Sequence, residues 1–153
     1  MKKFTDSFKH RYYFANEFIV VCPKCLGKAK VVPSVPWSSK KLFSIKRKLI
    51  CNHCGFYKEQ KPTKIIEMYA DKDWFFGLPL FYTIKGKQGN LYAYNDDHLD
   101  YLKQFISAKL RTRKCSEKYG WSNGSQISRL PKWVKLAKNR TKLLKDIEKL
   151  EKG

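Results

Sequence analysis

The sequence predicts an α+β protein, with short antiparallel strands in its first half and helices in its second. Three observations predict this class. Two Cys-x-x-Cys pairs stand among β-rich segments of the first half. A second pair of short strands, separated by a turn that contains glycine, follows them. Leucine and isoleucine then recur at three- and four-residue steps, which is the spacing of amphipathic helices.

The two cysteine pairs are Cys22-Pro23-Lys24-Cys25 and Cys51-Asn52-His53-Cys54. Each pair is expected to form a tight turn, called a knuckle below, whose two thiolates reach one ion. Two such pairs complete a tetrahedral zinc shell. A shell of four thiolates leaves no open position for water or substrate, so the predicted ion is structural rather than catalytic. The predicted ligands of this one zinc ion are Cys22, Cys25, Cys51 and Cys54.

Disulfides or redox dithiols are the alternative for these cysteines, and His53 is an alternative ligand. A redox Cys-x-x-Cys usually opens a helix, and neither pair leads into a helical pattern. Gly27 and Gly55 follow the knuckles, where a left-handed backbone would turn N–H groups toward the sulfurs. Cys115 stands alone and is predicted to be a reduced thiol outside the metal site. Reduced cysteines predict a cytoplasmic location.

The strands around the knuckles are predicted to form a zinc ribbon of antiparallel hairpins within residues 1–62. One strand enters each knuckle and another leaves it. Prolines and serines between the second and third strands cannot continue a ladder and indicate a turn. Lys61-Pro62 is the predicted boundary of this module. The four predicted strands are residues 18–21, 28–32, 42–50 and 55–60.

Residues 63–153 are predicted to form a β-hairpin with two helices packed on it. The hairpin strands are expected at 80–84 and 91–94. Asn95 is the expected N-cap of the first helix, whose apolar stripe continues to Leu110. Basic residues suit the negative carboxyl end of a helix, and those expected there are Arg111, Arg113 and Lys114.

The second helix is expected to begin at Pro131 and to present an apolar stripe from Trp133 to Leu150. Lysines at three- and four-residue steps form another stripe about 30 Å long. Three interpretations of this stripe stay open: a solvated face, a rail that follows phosphates, and a membrane-surface or partner helix. The lysines predicted for a phosphate rail are Lys135, Lys138, Lys142 and Lys145.

The formal charge of +20 is concentrated in two parts of the chain. Residues 1–64 hold 15 Lys and Arg against 3 Asp and Glu, and residues 111–153 hold 13 against 4, whereas residues 65–110 are nearly neutral. Basic surfaces of this kind attract polyanions, and aromatic side chains among them can stack on bases. The predicted nucleic-acid contacts of the ribbon are Trp37, Lys40, Lys41, Lys46, Arg47, Lys48 and Tyr57.

These features predict a non-enzymatic protein that binds nucleic acid, DNA or RNA, mainly through phosphates and with low sequence specificity. The alternative is a protein-interaction adaptor that docks through the aromatic residues 74–82, a segment that also suits a hydrophobic core. No spaced carboxylates, glycine-rich phosphate loop or paired nucleophile indicates an enzyme or a small-molecule substrate. No run of 18 apolar residues predicts a membrane span.

The two knuckles resemble the TFIIB-type zinc ribbon, a module of transcription and translation proteins. Residues 73–80, 91–99 and 129–133 are similar to segments of a group of small bacterial proteins that carry such a ribbon. This resemblance covers most of the chain. It implies a zinc ion and the architecture described above, and it implies no activity, because such ribbons bind DNA, RNA or protein.

Overall fold

The computed structural model describes residues 3–6, 14–34, 46–60, 71–108, 110–113 and 130–152. The predicted α+β class, with antiparallel strands and a C-terminal helix, is confirmed. The strands are β1 (Lys3–Asp6), β2 (Phe18–Val21), β3 (Lys28–Pro33), β4 (Arg47–Ile50), β5 (Tyr57–Gln60), β6 (Tyr82–Ile84), β7 (Leu91–Ala93) and β8 (Leu110–Arg113). The helices are α1 (Asp96–Ser107), α2 (Lys132–Lys135) and α3 (Arg140–Lys152), with a 3₁₀ turn at Ala137–Asn139.

Strands β2, β3, β4 and β5 form an antiparallel sheet in that order, which we call the main sheet. Its alternating pattern gives it two different faces, because successive side chains of a strand point to opposite sides. The core face carries buried side chains, among them Val20, Ala29, Val31 and Leu49. The opposite face, which we call the open face, carries the residues that alternate with these, among them Lys28, Lys30, Lys48 and Ile50. Both cysteine knuckles lie at the same end of the sheet, one between β2 and β3 and the other between β4 and β5.

The outer edge of β2 is bound to the second half of the chain. The Ile19 N–H donates to the Tyr94 carbonyl at 2.6 Å, and the Val21 N–H donates to the Pro79 carbonyl at 2.9 Å. Below this edge the rings of Phe18 and Trp74 pack with their centroids 5.3 Å apart. The predicted boundary at residues 61 and 62 lies outside the described residues. Residues on its two sides share one hydrophobic core.

The predicted N-cap of α1 is confirmed, since the Asn95 side chain accepts the His98 N–H at 3.0 Å. The predicted continuation of the helical stripe to Leu110 is wrong. The helix ends at Ser107, and residues 110–113 form β8, which pairs in parallel with β1. The last carbonyls of α1 are bound by Arg140, whose Nε donates to the Ile106 carbonyl at 3.0 Å. Arg140 therefore takes the role at the carboxyl end of α1 that was predicted for Arg111, Arg113 and Lys114.

The predicted continuous helix from Pro131 is also wrong, because the backbone is extended at Leu136, between α2 and the 3₁₀ turn. Asn139 stabilises this break by donating its side-chain N–H to the Trp133 carbonyl at 2.8 Å. The Trp133 ring reaches the turn between β6 and β7, where a Cβ on Gly86 would lie 2.6 Å from two of its carbons. Only α3 continues as a long helix and packs its buried side chains toward α1.

Candidate metal centre

The four cysteines of the two knuckles come together at the end of the main sheet. The Sγ atoms of Cys22 and Cys54 lie 3.6 Å apart, as do those of Cys25 and Cys51. All four Sγ atoms lie within 4.8 Å of one another. A tetrahedral zinc site with Zn–S bonds of about 2.3 Å has sulfur–sulfur distances of roughly 3.8 Å. The four thiols therefore fit a single metal ion, and none of them forms a disulfide.

Backbone geometry brings the sulfurs into this arrangement. The N–H groups of Lys24 and Cys25 point at the Cys22 sulfur at 3.4 and 3.5 Å, and the Gly27 N–H points at the Cys25 sulfur at 3.4 Å. The residue directly after each second cysteine is left-handed, with φ of 64° at Leu26 and 78° at Gly55. The predicted left-handed backbone conformation is thus confirmed for Gly55. It is wrong for Gly27, which lies one position further on.

Gly27 has a different role from the one predicted. A Cβ at this position would lie 3.4 Å from the Cys25 sulfur and 3.7 Å from the His53 ring. These are ordinary van der Waals distances, so Gly27 marks where the two knuckles meet, and it contributes to the site through its N–H, which points at the Cys25 sulfur. Leu26, in contrast, holds an uncommon backbone conformation while its side chain is 72% exposed. A β-branched or other L-residue in this region is strained by about 1–2 kcal/mol.

The thiols of the cluster differ in acidity. Burial acts to raise the pKa of Cys22, but the N–H groups of Cys25 and Lys24 outweigh it and lower that pKa to about 6. The Gly27 N–H acts to lower the pKa of Cys25, yet burial and the neighbouring thiols raise it to about 12. The Cys22 thiolate therefore forms readily, whereas Cys25 retains its proton. A bound cation is what allows four adjacent thiolates to coexist.

His53 does not join the cluster. Among the described residues, the group of side chains close enough to share one ion consists of the four cysteines alone. The His53 side chain is exposed and lies beside Gly27. Cys115, which was predicted to stand outside the metal site, lies outside the described residues. The alternative of a histidine ligand therefore has no support in this arrangement.

The prediction that Arg47 contacts nucleic acid is wrong. Arg47 is 1% exposed and lies on the core face of the main sheet. Its guanidinium donates to the carbonyls of Asn16 at 3.0 Å and Ala15 at 3.2 Å, and it stacks on the Phe75 ring at 4.3 Å. The alternation of β4 explains this placement, because Arg47 shares its face with the buried Leu49.

A second buried charge compensates Arg47. Burial lowers the pKa of Arg47 to about 10, and the negative charge of Asp73 acts in the opposite direction. Burial likewise raises the pKa of Asp73. The Asp73 carboxylate nevertheless accepts N–H groups of Phe76 and Leu78, each at 2.7 Å. Backbone donors and Arg47 together stabilise this carboxylate inside the core.

The open face of the main sheet carries exposed charged and aromatic side chains. Lys46 is exposed and pairs with Glu59 at 2.7 Å, and Tyr57 is 53% exposed. The sequence prediction missed Lys28 and Lys30, which lie on the same face of β3. Their alternation with the apolar residues Ala29 and Val31 is the signal that identifies them. The basic residues of the open face are Lys28, Lys30, Lys46 and Lys48.

The remaining predicted contacts have different outcomes. Trp37, Lys40 and Lys41 lie outside the described residues. In the C-terminal part, Lys135 is half-buried, and the break at Leu136 separates it from α3. The predicted unbroken lysine stripe is therefore wrong. Of the lysines predicted for the phosphate rail, Lys138, Lys142 and Lys145 are exposed beyond the break.

The aromatic segment proposed as an adaptor surface is mostly core. Trp74, Phe75 and Tyr82 are each 3% exposed or less. Phe76 and Phe81 are half-buried and pack against that core. In the part of the chain that the structure describes, no helix has the length and apolar character needed to cross a membrane.

Comparisons with known proteins do not assign this chain to a family. No protein-family model, no curated protein and no solved structure matches the chain. The resemblance of the knuckles to a TFIIB-type ribbon stays a prediction from the cysteine spacing, because a cluster of four sulfurs does not identify that family.

Proposed function

We propose that this protein holds one structural zinc ion at the four cysteines and binds nucleic acid on the open face of the main sheet. Binding is mainly to the phosphate backbone and has low sequence specificity. The observation that carries the proposal is the charge of this face, where the described part of the chain places four lysines against the single acid Glu59. Phosphate contacts of this kind dominate nonspecific affinity for nucleic acid.

Zinc is supported by the chemistry of the donor set. Soft thiolates select zinc over magnesium or calcium, and a tetrahedral sulfur shell is a structural zinc site. Plasma emission spectroscopy of the purified protein should give one zinc per chain. Cys51→Ser should lose the metal, while Asn52→Ser, an exposed change within the same knuckle, should retain it. A preparation with a full complement of reduced cysteines and no metal would contradict this part.

The open face also offers an aromatic partner for bases. Tyr57 lies in register with Ile50, and Ile50 lies in register with Lys30, so the three side chains form one row across the sheet. An exposed aromatic ring beside cations can stack on an unpaired base, which contributes about 1–3 kcal/mol. Single-stranded nucleic acid is therefore the expected ligand, since its bases are free to stack.

The experiment is a salt titration of the zinc-loaded, nuclease-treated protein with fluorescent single-stranded oligonucleotides. Affinity should fall linearly on a log–log plot, with a slope of about 0.7 for each phosphate contact on a single strand. Oligonucleotides of unrelated sequence should give similar affinities. Binding that is absent at low salt would contradict the proposal.

The adaptor alternative is less favoured, because most of its proposed aromatic surface is buried in the core. Docking of a protein through aromatic residues would also respond little to salt.

A further inference from the structure

A cleft of about 590 Å³ opens where the main sheet meets the β6 strand and the start of α1. One wall is the open face of the sheet, with Lys28 and Lys30. Asn52 and His53 of the second knuckle also line the cleft, as do Tyr82 and Asp96. The cleft therefore combines cations, hydrogen-bonding groups and one carboxylate within a single concave site.

The cations of the cleft are available to a ligand. Lys30 is exposed, and neither Lys28 nor Lys30 forms an ion pair with a described residue. The Lys28 ammonium lies 5.2 Å from the Phe81 ring centroid and 5.1 Å from that of Tyr82. These ring contacts hold the ammonium at the wall of the cleft. A phosphate that enters the cleft meets two positive charges.

The carboxylate of the cleft has one oxygen that can accept a hydrogen bond from a neutral hydroxyl group. Tyr82 donates its hydroxyl to Oδ1 of Asp96, and no described residue donates to Oδ2. Burial and the contact with Asp96 raise the pKa of Tyr82, so its hydroxyl stays a donor at neutral pH. A carboxylate repels phosphate but accepts a hydrogen bond from a sugar hydroxyl. One tyrosine ring thus separates a phosphate-attracting ammonium from a hydroxyl-accepting carboxylate.

We propose that this cleft binds a ribonucleotide of single-stranded RNA, with its phosphate at Lys28 and Lys30 and its ribose 2′-hydroxyl at Asp96. The 2′-hydroxyl is the group that distinguishes RNA from DNA at a protein site. The inference rests on the proposed nucleic-acid function and names RNA as the preferred ligand. Contacts with the phosphates of the nucleic acid supply most of the affinity. The contact between Asp96 and the 2′-hydroxyl supplies the preference for RNA over DNA.

The test compares oligouridylate with oligodeoxyuridylate of equal length, about ten nucleotides, on the zinc-loaded full chain by fluorescence anisotropy. RNA should bind about tenfold more tightly, which is the lower end of what a hydrogen bond to a charged group contributes. Asp96→Ala should bring the RNA-to-DNA affinity ratio close to one without weakening DNA binding. Asp97→Ala is the matched control, since Asp97 is also an exposed acid of the first turn of α1 but does not line the cleft. The Asp97→Ala variant should keep the RNA-to-DNA affinity ratio of the parent protein.

Zinc content and circular dichroism of each variant confirm that it is folded. Equal affinities for RNA and DNA, with a normal salt slope, would overturn this inference and leave the proposed function standing. An RNA preference that survives in Asp96→Ala would also overturn it, because the carboxylate would not be its source. Failure to bind either strand would reject the proposed function and the inference with it. Free uridine monophosphate, added as competitor, should displace RNA only weakly if the site needs the strand.

Discussion

The two faces of the main sheet hold positive charge in opposite ways. Arg47 and Lys48 are neighbours in β4, yet Arg47 is 1% exposed and Lys48 lies on the open face. Arg47 donates to two backbone carbonyls and is compensated by Asp73. Lys48 stands in register with Glu59, near other lysines. The face on which a cation lies, more than its presence in a basic run, determines whether it is buried in the core or accessible to a ligand.

Buried polar side chains beside the core face satisfy backbone groups that no strand reaches. Arg47 binds the carbonyls of Ala15 and Asn16. Asn95 donates its side-chain amide to the carbonyls of Phe14 at 2.7 Å and Glu17 at 2.9 Å. Four successive carbonyls before β2 are thus bound by two side chains from distant parts of the sequence. Buried carbonyls left without donors would each destabilise the fold.

Removing the metal should have the largest effect on both faces, because all four strands of the main sheet meet the cysteines at one end. Apparent zinc affinities in small modules amount to about 10–16 kcal/mol, which becomes folding energy. Chelation, or Cys51→Ser, should abolish hydrogen-exchange protection in β2 to β5 before that of α1. Asn52→Ser serves as the control. Unchanged protection of the main sheet in metal-free protein would contradict the role given to the ion.

Truncation of Arg47 and of Lys48 should show most clearly how much more a core-face cation than an open-face cation contributes to the free energy of unfolding. Arg47→Ala leaves the buried carbonyls of Asn16 and Ala15 without their donors and removes the positive charge that acts on Asp73. Each buried polar group left unsatisfied costs about 1–3 kcal/mol. Lys48→Ala, on the open face, should change the free energy of unfolding by about 0.5 kcal/mol or less. Urea denaturation of the two variants measures both quantities. Similar losses for both residues would show that the buried arrangement of Arg47 has been assigned incorrectly.

Changing Asn95 to Asp tests the bound carbonyls with a nearly isosteric side chain. Asn95→Asp keeps an oxygen for the N-cap of α1 but replaces the amide donor by an acceptor facing two carbonyls. Leaving buried acceptors unsatisfied costs about 1–3 kcal/mol. We expect urea denaturation to show a loss in this range. A variant as stable as the parent would mean that solvent replaces the amide at no cost.

The smallest expected effect lies at the knuckles, which belong to neither face. Leu26→Gly relieves a left-handed leucine but adds freedom to the unfolded chain, so a net gain of about 0.5–1 kcal/mol is expected. Gly55→Ala, at the corresponding left-handed position of the other knuckle, should lose about 1 kcal/mol. Thermal unfolding of the zinc-loaded variants measures both shifts. Shifts of the same sign would contradict the equivalence of the two positions.

The cysteine cluster was predictable because its signal is local. The spacing of the four cysteines identifies every member of the cluster, and backbone N–H groups within each knuckle orient the sulfurs. The placement of Arg47 needed the register of β4, which a run of basic residues does not reveal. The end of α1 was not predictable either, since Leu110 fits a helical stripe as well as a strand. Arg140, which binds the carbonyl of Ile106 near the end of α1, lies 34 residues away in the sequence.

The central claim is that charge on the open face, and not basicity in general, binds nucleic acid. The most direct measurement is the salt dependence of binding to a single-stranded oligonucleotide for Lys30→Gln/Lys48→Gln and for Lys58→Gln. Lys58 is an exposed lysine of the same sheet that lies in register with the buried Leu49, on the other face. The open-face variant should lower the log–log slope by about 0.7 for each of its two lost contacts. The Lys58 variant should leave the slope unchanged. Equal changes in both variants, or no change in either, would contradict the account.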